Sequence, residues 1–281
     1  MPKVGVKGVN WYYEWEGQGP SIVLLHGMGD NSTMWFNQKK AFTRDNLLVL
    51  ADIKGHGSAD RPKEGYEIPR LAEELAEWWK WTKTYIAADM EAHSDMVNIM
   101  KPPVFLGFSM GGRIALQCAI NHPEIFKGLV LANSGVGLTP PSPEAQKRRE
   151  EMMALLQNGD TKKWAEMATT GALSPGFKEK NPKMFEAFMK VKLQQKADAM
   201  LRVMQAMATP TPPPDLSQLK VPVLIIAGEH DTGMGPEQAK QVQAAIPGSK
   251  LVVLPTGHAA AIEAPEQFNA AVMEFVKSLG Y

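Results

Sequence analysis

A single thiol, Cys118, is all the cysteine in the 281-residue chain, which excludes any intramolecular disulfide framework. An excess of charge of one sign is missing too: 30 basic residues face 30 acidic ones, for a formal net charge of zero. A nucleic-acid binder normally gathers a basic excess on one face, so no nucleic-acid partner is expected. No uninterrupted apolar run approaches the roughly 20 residues of a membrane helix, and the opening Met1-Pro2-Lys3-Val4-Gly5-Val6 has no signal-peptide core. These absences predict a soluble, cytoplasmic protein without a membrane partner. There is no H-E-x-x-H and no cysteine cluster, so no metal is expected. There is also no G-x-G-x-x-G or G-x-x-x-x-G-K-[ST] after a strand, so no nucleotide cofactor is expected either.

What the chain does contain is apolar residues, 44% of the total, against 21% charged. Its length suits one large domain, or a core domain carrying an insertion. Val9 to Trp15 is rich in aromatic and β-branched residues and stops at the turn cluster Gly17-Gln18-Gly19-Pro20. Ile22 to Leu25, Leu47 to Leu50, Val104 to Leu106, Leu129 to Leu131, Val223 to Ile226 and Leu251 to Leu254 are short and apolar at every position. Such runs suit strands covered on both faces, as in a parallel sheet. Helical spacing fills the gaps at Arg113 to Asn121, Pro236 to Ile246 and Pro265 to Leu279, two of them opening on a proline that a first turn tolerates. The alternation predicts an α/β doubly wound sheet.

Two segments break that rhythm. Leu138 to about Pro214 is bounded by Thr139-Pro140-Pro141-Ser142-Pro143 and by Pro210-Thr211-Pro212-Pro213-Pro214, stiff hinges around an inserted unit. It is helical in composition and holds eight of the 17 methionines, which reads as a helical lid, residues 138–214, over a core of 1–137 and 215–281. Most of those methionines read as core filler; as flexible, polarisable side chains some suit an adaptable apolar pocket. The second segment, Ile68 to Met100, is long for one crossover helix and contains Trp78, Trp79, Trp81 and Tyr85. Leu71, Leu75, Trp78 and Thr82 fall on one helical face. Buried packing is one reading of the aromatics; a homodimer surface or a second lid element is the other.

The chemistry concentrates at the ends of the apolar runs. Gly107-Phe108-Ser109-Met110-Gly111 is a G-x-S-x-G directly between a strand and a helix. A sharp turn there strains the serine backbone and pushes its Oγ into the open, and the flanking glycines avoid collisions with neighbouring backbone. Serine needs a base, and the base needs a third group to orient it. Asp231 follows the run Val223 to Ile226, and His258 follows Leu251 to Leu254. All three stand at the carboxyl ends of strands, where open α/β sheets place active sites, in the order Ser, Asp, His.

The rivals fit less well. His93 and His122 fall in or at the end of helices, His230 points away from the side that Asp231 faces on an extended backbone, and Glu229 is the rival acid. Asp52 follows a strand but lies upstream of the serine. An oxyanion needs donors. His26-Gly27-Met28-Gly29 follows the first fully apolar run, and its glycines permit close backbone approach. The backbone N–H groups of Met28 and Met110 are the candidates, with His26 shaping the loop by hydrogen bonding.

These landmarks, with Asp52-Ile53-Lys54-Gly55-His56-Gly57-Ser58, Arg61-Pro62, Gly228-Glu229-His230-Asp231 and Gly257-His258 before Glu263 and Pro265, resemble the α/β-hydrolase superfamily over nearly the whole chain. The resemblance implies the α/β-hydrolase fold: a mostly parallel eight-stranded sheet with a helical cap after strand six. Phe108 stands where the family more often has histidine or asparagine. The implied activity is a serine-dependent, carboxylesterase-like hydrolase acting on a small or medium, largely apolar ester. Enol-lactone and C–C bond hydrolysis in aromatic degradation are alternatives; their carboxylate-bearing substrates want a cation, for which Arg113, Arg148, Arg149 and Arg202 are candidates if they are not plain surface charge. Perhydrolase or haloperoxidase-like chemistry, or ligand binding without turnover, complete the set.

Overall fold

The structure, a computed structural model, describes residues 2–90, 96–138, 142–209 and 212–280. Eight strands form one sheet: β1 Lys3–Val6, β2 Val9–Glu16, β3 Ser21–Leu25, β4 Leu47–Asp52, β5 Val104–Phe108, β6 Gly128–Ala132, β7 Val223–Gly228 and β8 Lys250–Leu254. Their spatial order is β1-β2-β4-β3-β5-β6-β7-β8. Only β1 with β2 and β2 with β4 pair antiparallel; the other neighbours are parallel.

The uniformly apolar runs are the central strands, and every residue of β3, β4, β5, β6 and β7 is buried. Because side chains alternate along a strand, Val23, Leu25, Phe105, Leu129 and Ile225 enter one core layer. Their neighbours Ile22, Leu24, Leu106, Val130 and Ile226 enter the other. Continuous hydrophobicity in sequence is therefore two interleaved faces in space. The edge strand β1 was not among the apolar runs, since only Val4 and Val6 of its four residues face inward. It is held by a hairpin at Lys7-Gly8, both in positive φ (49° and 81°), the conformation a tight hairpin needs.

Helices α1 Lys39–Phe42, α2 Ile68–Asp89, α3 Met96–Met100 and α4 Met110–Asn121 precede β6. Along α2, Leu71, Leu75, Trp78 and Thr82 are buried together, and Trp79 sets its ring edge-on to Phe105 at 5.8 Å. Buried packing thus accounts for Trp78 and Trp79, whereas Trp81 and Tyr85 are 44% and 52% exposed one turn apart. The buried pair Lys54–Glu74 (2.6 Å) pins α2 to the loop after β4.

Between β6 and β7 come five helices: α5 Pro143–Gln157, α6 Thr161–Thr170, α7 Phe177–Lys180, α8 Pro182–Leu193 and α9 Ala197–Ala208. Ser142 caps α5 by accepting the Ala145 N–H, with Pro143 in the first turn. The hinge residues 139–141 and 210–211 lie outside the described residues. Met200 and Met204 are fully buried, and Met153, Met167, Met184, Met189 and Met207 pack against the two core layers. The chain closes with α10 Pro236–Ala245, α11 Ala260–Glu263 and α12 Pro265–Ser278.

Candidate active site

Ser109 sits between β5 and α4 at φ 52°, ψ −113°, a strained conformation for a residue with a side chain. Backbone contacts hold the strain in place. Ser109 N–H donates to Ala132 O (3.0 Å), and Ser109 O accepts from Ser134 Oγ (2.8 Å) and Gly112 N (3.1 Å). The glycines are obligatory. A Cβ on Gly107 would stand 2.4 Å from Gly112 Cα, and one on Gly111 would stand 2.5 Å from Leu25 O.

The loops after β7 and β8 bring Asp231 and His258 to that serine. His258 Nε2 lies 2.9 Å from Ser109 Oγ, and its Nδ1 lies 2.8 Å from Asp231 Oδ2. An ionised carboxylate only accepts, so Nδ1 carries the proton and Nε2 is left with its lone pair toward the hydroxyl. Asp231 also accepts from Gly233 N–H on Oδ1 (2.8 Å) and from Asn133 Nδ2 on Oδ2 (3.1 Å). Burial alone would raise this carboxyl, but the facing imidazole and these donors outweigh it and hold the pKa at about 2. For His258, partial burial pulls the pKa down, yet Asp231 pulls harder and the net direction is up. The imidazole keeps 28% of its side chain exposed, against 2% for Asp231. The imidazole meets solvent; the carboxylate does not.

The loop after β3 closes the other side. Asp30 N–H donates to Gly27 O (3.2 Å) across a tight turn, with Gly29 at φ 79°. Among the described residues no protein group accepts the Met28 N–H. Met110 heads α4, so its N–H has no acceptor within that helix. His26 shapes this loop: its Nε2 accepts the Ile53 N–H (3.0 Å) and its Nδ1 donates to Gly27 O (2.8 Å). Full burial lowers its pKa to about 4, so it stays neutral. The Phe108 ring lies 5.1 Å from the His258 ring and fills the space where a Gly27 Cβ would project.

Sequence reasoning missed several residues at this rim. Asn133, at φ 47° directly after β6, braces Asp231 and donates to Gly257 O (3.4 Å). Glu263 accepts Gly257 N–H (2.7 Å) and Ser174 N–H (3.0 Å), joining the His258 loop to the inserted helices. Lys192 of α8 reaches Asp30 at 2.5 Å with both side chains buried. Asn133 carried a weak signal, a polar residue at a strand's carboxyl end. Lys192 carried none.

The rival residues go elsewhere. Asp52 accepts Ser32 N–H (2.6 Å) and Ser58 N–H (2.8 Å), stapling two loops. Glu229 and His230 are exposed. His122 caps α4 and meets Glu73 at 2.9 Å; His93 lies outside the described residues. Of the arginines, Arg148 donates to Met167 O (2.9 Å) and Arg202 pairs with Asp198 (2.9 Å). Arg113 is half-buried beside Arg149, and burial lowers its pKa. Among the described residues there is no group of three or more His, Cys, Asp or Glu arranged to hold a metal ion. No described helix is long and apolar enough to cross a membrane.

A model of the alpha/beta hydrolase family matches residues 22–271, which span every element just described except β1, β2 and the chain's end. The chain belongs to the alpha/beta hydrolase family. It is 28% identical over 258 residues to a 3-oxoadipate enol-lactonase of Acinetobacter baylyi, covering 92% of this chain and 89% of that one. It is 26% identical over 290 residues to a pyrrolizixenacetamide deacetylase of Xenorhabdus hominickii, covering 99% and 98%. A thermophilic esterase from Thermogutta terrifontis shares the fold, with a TM-score of 0.83 over 100% of both chains at 22% identity. Hydrolysis is the chemistry common to these family members.

Proposed function

We propose that the protein is a serine hydrolase that cleaves a carboxylic ester of a small or medium, largely apolar substrate through an acyl-enzyme. The observation that carries this reading is the continuous relay Asp231–His258–Ser109, with separations of 2.8 and 2.9 Å. His258 takes the hydroxyl proton as Ser109 Oγ bonds to the carbonyl carbon, and the carbonyl π pair moves onto oxygen. The Met28 and Met110 amides receive that oxyanion. His258 then protonates the departing alcohol, and the acyl-enzyme is opened by water that gives its proton to the same imidazole. Asp231 keeps the imidazole in the reactive tautomer and stabilises its charged form. Phe108, Met28 and the inserted helices, acting as a cap, supply the apolar walls.

A second reading, enol-lactone hydrolysis, draws on the Acinetobacter relative. The same relay would open a lactone, the leaving oxygen staying attached to the acyl group. Both readings are tested by turnover of a neutral p-nitrophenyl ester, an enol-lactone and a ring-fission diketone, wild type beside Ser109→Ala. The expected result is ester turnover that the variant loses, with a fluorophosphonate labelling wild type alone. Undiminished ester hydrolysis by Ser109→Ala, or a wild type inert to the fluorophosphonate, would end the proposal.

A further inference from the structure

The inserted helices do more than cover the site; they grip the loop that offers the Met28 amide. Three bonding residues, Lys192, Gln194 and Gln195, lie at the carboxyl end of α8 and just beyond it. Lys192 Nζ meets Asp30 Oδ1 at 2.5 Å, with the two side chains only 4% and 2% exposed. Gln195 Nε2 donates to Asp30 O (3.2 Å), while its Oε1 accepts the Gly57 N–H (3.2 Å). Gln194 Oε1 accepts from Asn31 Nδ2 (3.0 Å). Asp30 is thus fixed through its carboxylate and its carbonyl by the insertion, and through its N–H by Gly27. Met28 and Gly29 are the two residues between those fixed ends. On the far side, the Trp164 ring of α6 lies 2.9 Å from where a Gly29 Cβ would stand, which blocks that turn from relaxing outward.

A buried ion pair is a poor way to gain stability, because removing two charges from water costs about as much as their attraction returns. An apolar pair would hold α8 to the core as well. What an apolar pair cannot do is fix the position of one carboxylate, and with it one turn. The Phe188 ring, 4.3 Å from Lys192 Nζ, narrows the ammonium's freedom further.

We propose that the segment Lys192–Gln195 is a positioning element for the oxyanion loop, Lys192 acting on the reaction through Asp30 and the turn that presents the Met28 amide. This rests on the serine-hydrolase reading above. The role is geometric. Asp30 and Lys192 bias the His258 imidazole in opposite directions, the carboxylate up and the ammonium down. The other charged groups around the imidazole are Asp231 behind the ring and Glu263, at the end of α11, which accepts the Gly257 N–H.

The test compares wild type, Lys192→Met, and the double variant Lys192→Met/Asp30→Asn, which leaves no buried charge unpaired. Each is assayed for kcat/KM on p-nitrophenyl acetate, for inhibition by a trifluoromethyl ketone, and for melting temperature. The ketone reads the oxyanion contact directly: Ser109 Oγ adds to its carbon and the carbonyl oxygen becomes the anion, while His258 holds the proton. The expected result is a fall in kcat/KM of about ten- to a hundredfold in both variants, less than the loss of a whole oxyanion donor. The ketone inhibition constant should rise in parallel, while competitive inhibition by the product alcohol stays the same. The double variant should regain the melting temperature that Lys192→Met loses, but not the rate. Amide exchange at Met28 and Gly29 should quicken in both. A folded double variant with wild-type kcat/KM, ketone affinity and exchange would reduce the cluster to a structural staple and overturn the proposal. If Lys192→Met does not fold, the double variant decides alone. A wild type with no turnover and no fluorophosphonate labelling marks failure of the hydrolase reading instead, and the exchange measurement then still decides whether the loop is held from α8.

Discussion

Two histidines stand at the carboxyl rim of the same parallel sheet, and their surroundings send them opposite ways. His258 has a carboxylate at 2.8 Å and a partly exposed ring, and its pKa moves up. His26 has no exposure and no facing acid, and its pKa falls to about 4. His56, packed 4.8 Å from His26, falls to about 3. The same imidazole holds a proton more readily or stays a neutral strut according to whether an anion repays its desolvation. Position on the rim does not decide the role. The partner does.

The sharpest way to break this contrast is to remove each ring. His258→Gln should lower kcat/KM by about 10⁴-fold or more, with the melting temperature little changed. His26→Ala should act chiefly on stability, costing about 2–4 kcal/mol in denaturant unfolding because Ile53 loses its acceptor and a cavity opens, with a far smaller fall in kcat/KM than His258→Gln. Equal loss of turnover in a folded His26→Ala would erase the distinction. Next in size is the partner itself. Asp231→Asn should reduce kcat/KM by roughly 10³- to 10⁴-fold, since the amide favours the wrong tautomer. It should also shift the acid limb of the pH–rate profile downward, and an unmoved limb would mean that Asp231 does not set the imidazole's pKa.

A smaller effect separates the two sites by pH. His26 and His56 bind protons in the unfolded chain below about 6.5 but not in the folded one until about 4 and 3. The unfolded state therefore gains protons first, and stability falls as pH drops from about 6.5 toward 4. The loss should reach about 3 kcal/mol per histidine, read from urea melts across that window. Asp231, held at about 2, has the same sign in a lower window: its contribution is complete above the ordinary carboxylate range and is lost as pH falls through about 2. A flat stability from pH 6.5 to 4 would show that neither strut is buried neutral. The smallest effect concerns the base: the acid limb of wild-type kcat/KM should lie above the 6.5 of a free imidazole. A limb at or below 6.5 would remove the carboxylate's influence from the comparison.

Much of the frame was legible beforehand because its cause is local. The fully apolar runs lie within the strands β3 to β8; α4 begins three residues before its expected span, and α10 and α12 start as expected and end one residue early. The elbow at Ser109 was legible because glycine spacing there answers to sterics within five residues. The strand β1 was not, since two inward valines make too short a pattern to separate from a loop. Asn133 and Glu263 escaped for another reason. Their value lies in what they touch, Asp231 in one case and the segments at Gly257 and Ser174 in the other.

By itself, then, the order of residues determined the sheet, the strained turn and the set of polar side chains delivered to one rim, because periodicity and backbone sterics act between near neighbours. Only the folded chain decided which imidazole faces an acid, and that Lys192 meets Asp30 across 162 residues of separation. Contacts of that span depend on the path of every loop between them, and the charge state of a buried group depends on the water those loops exclude.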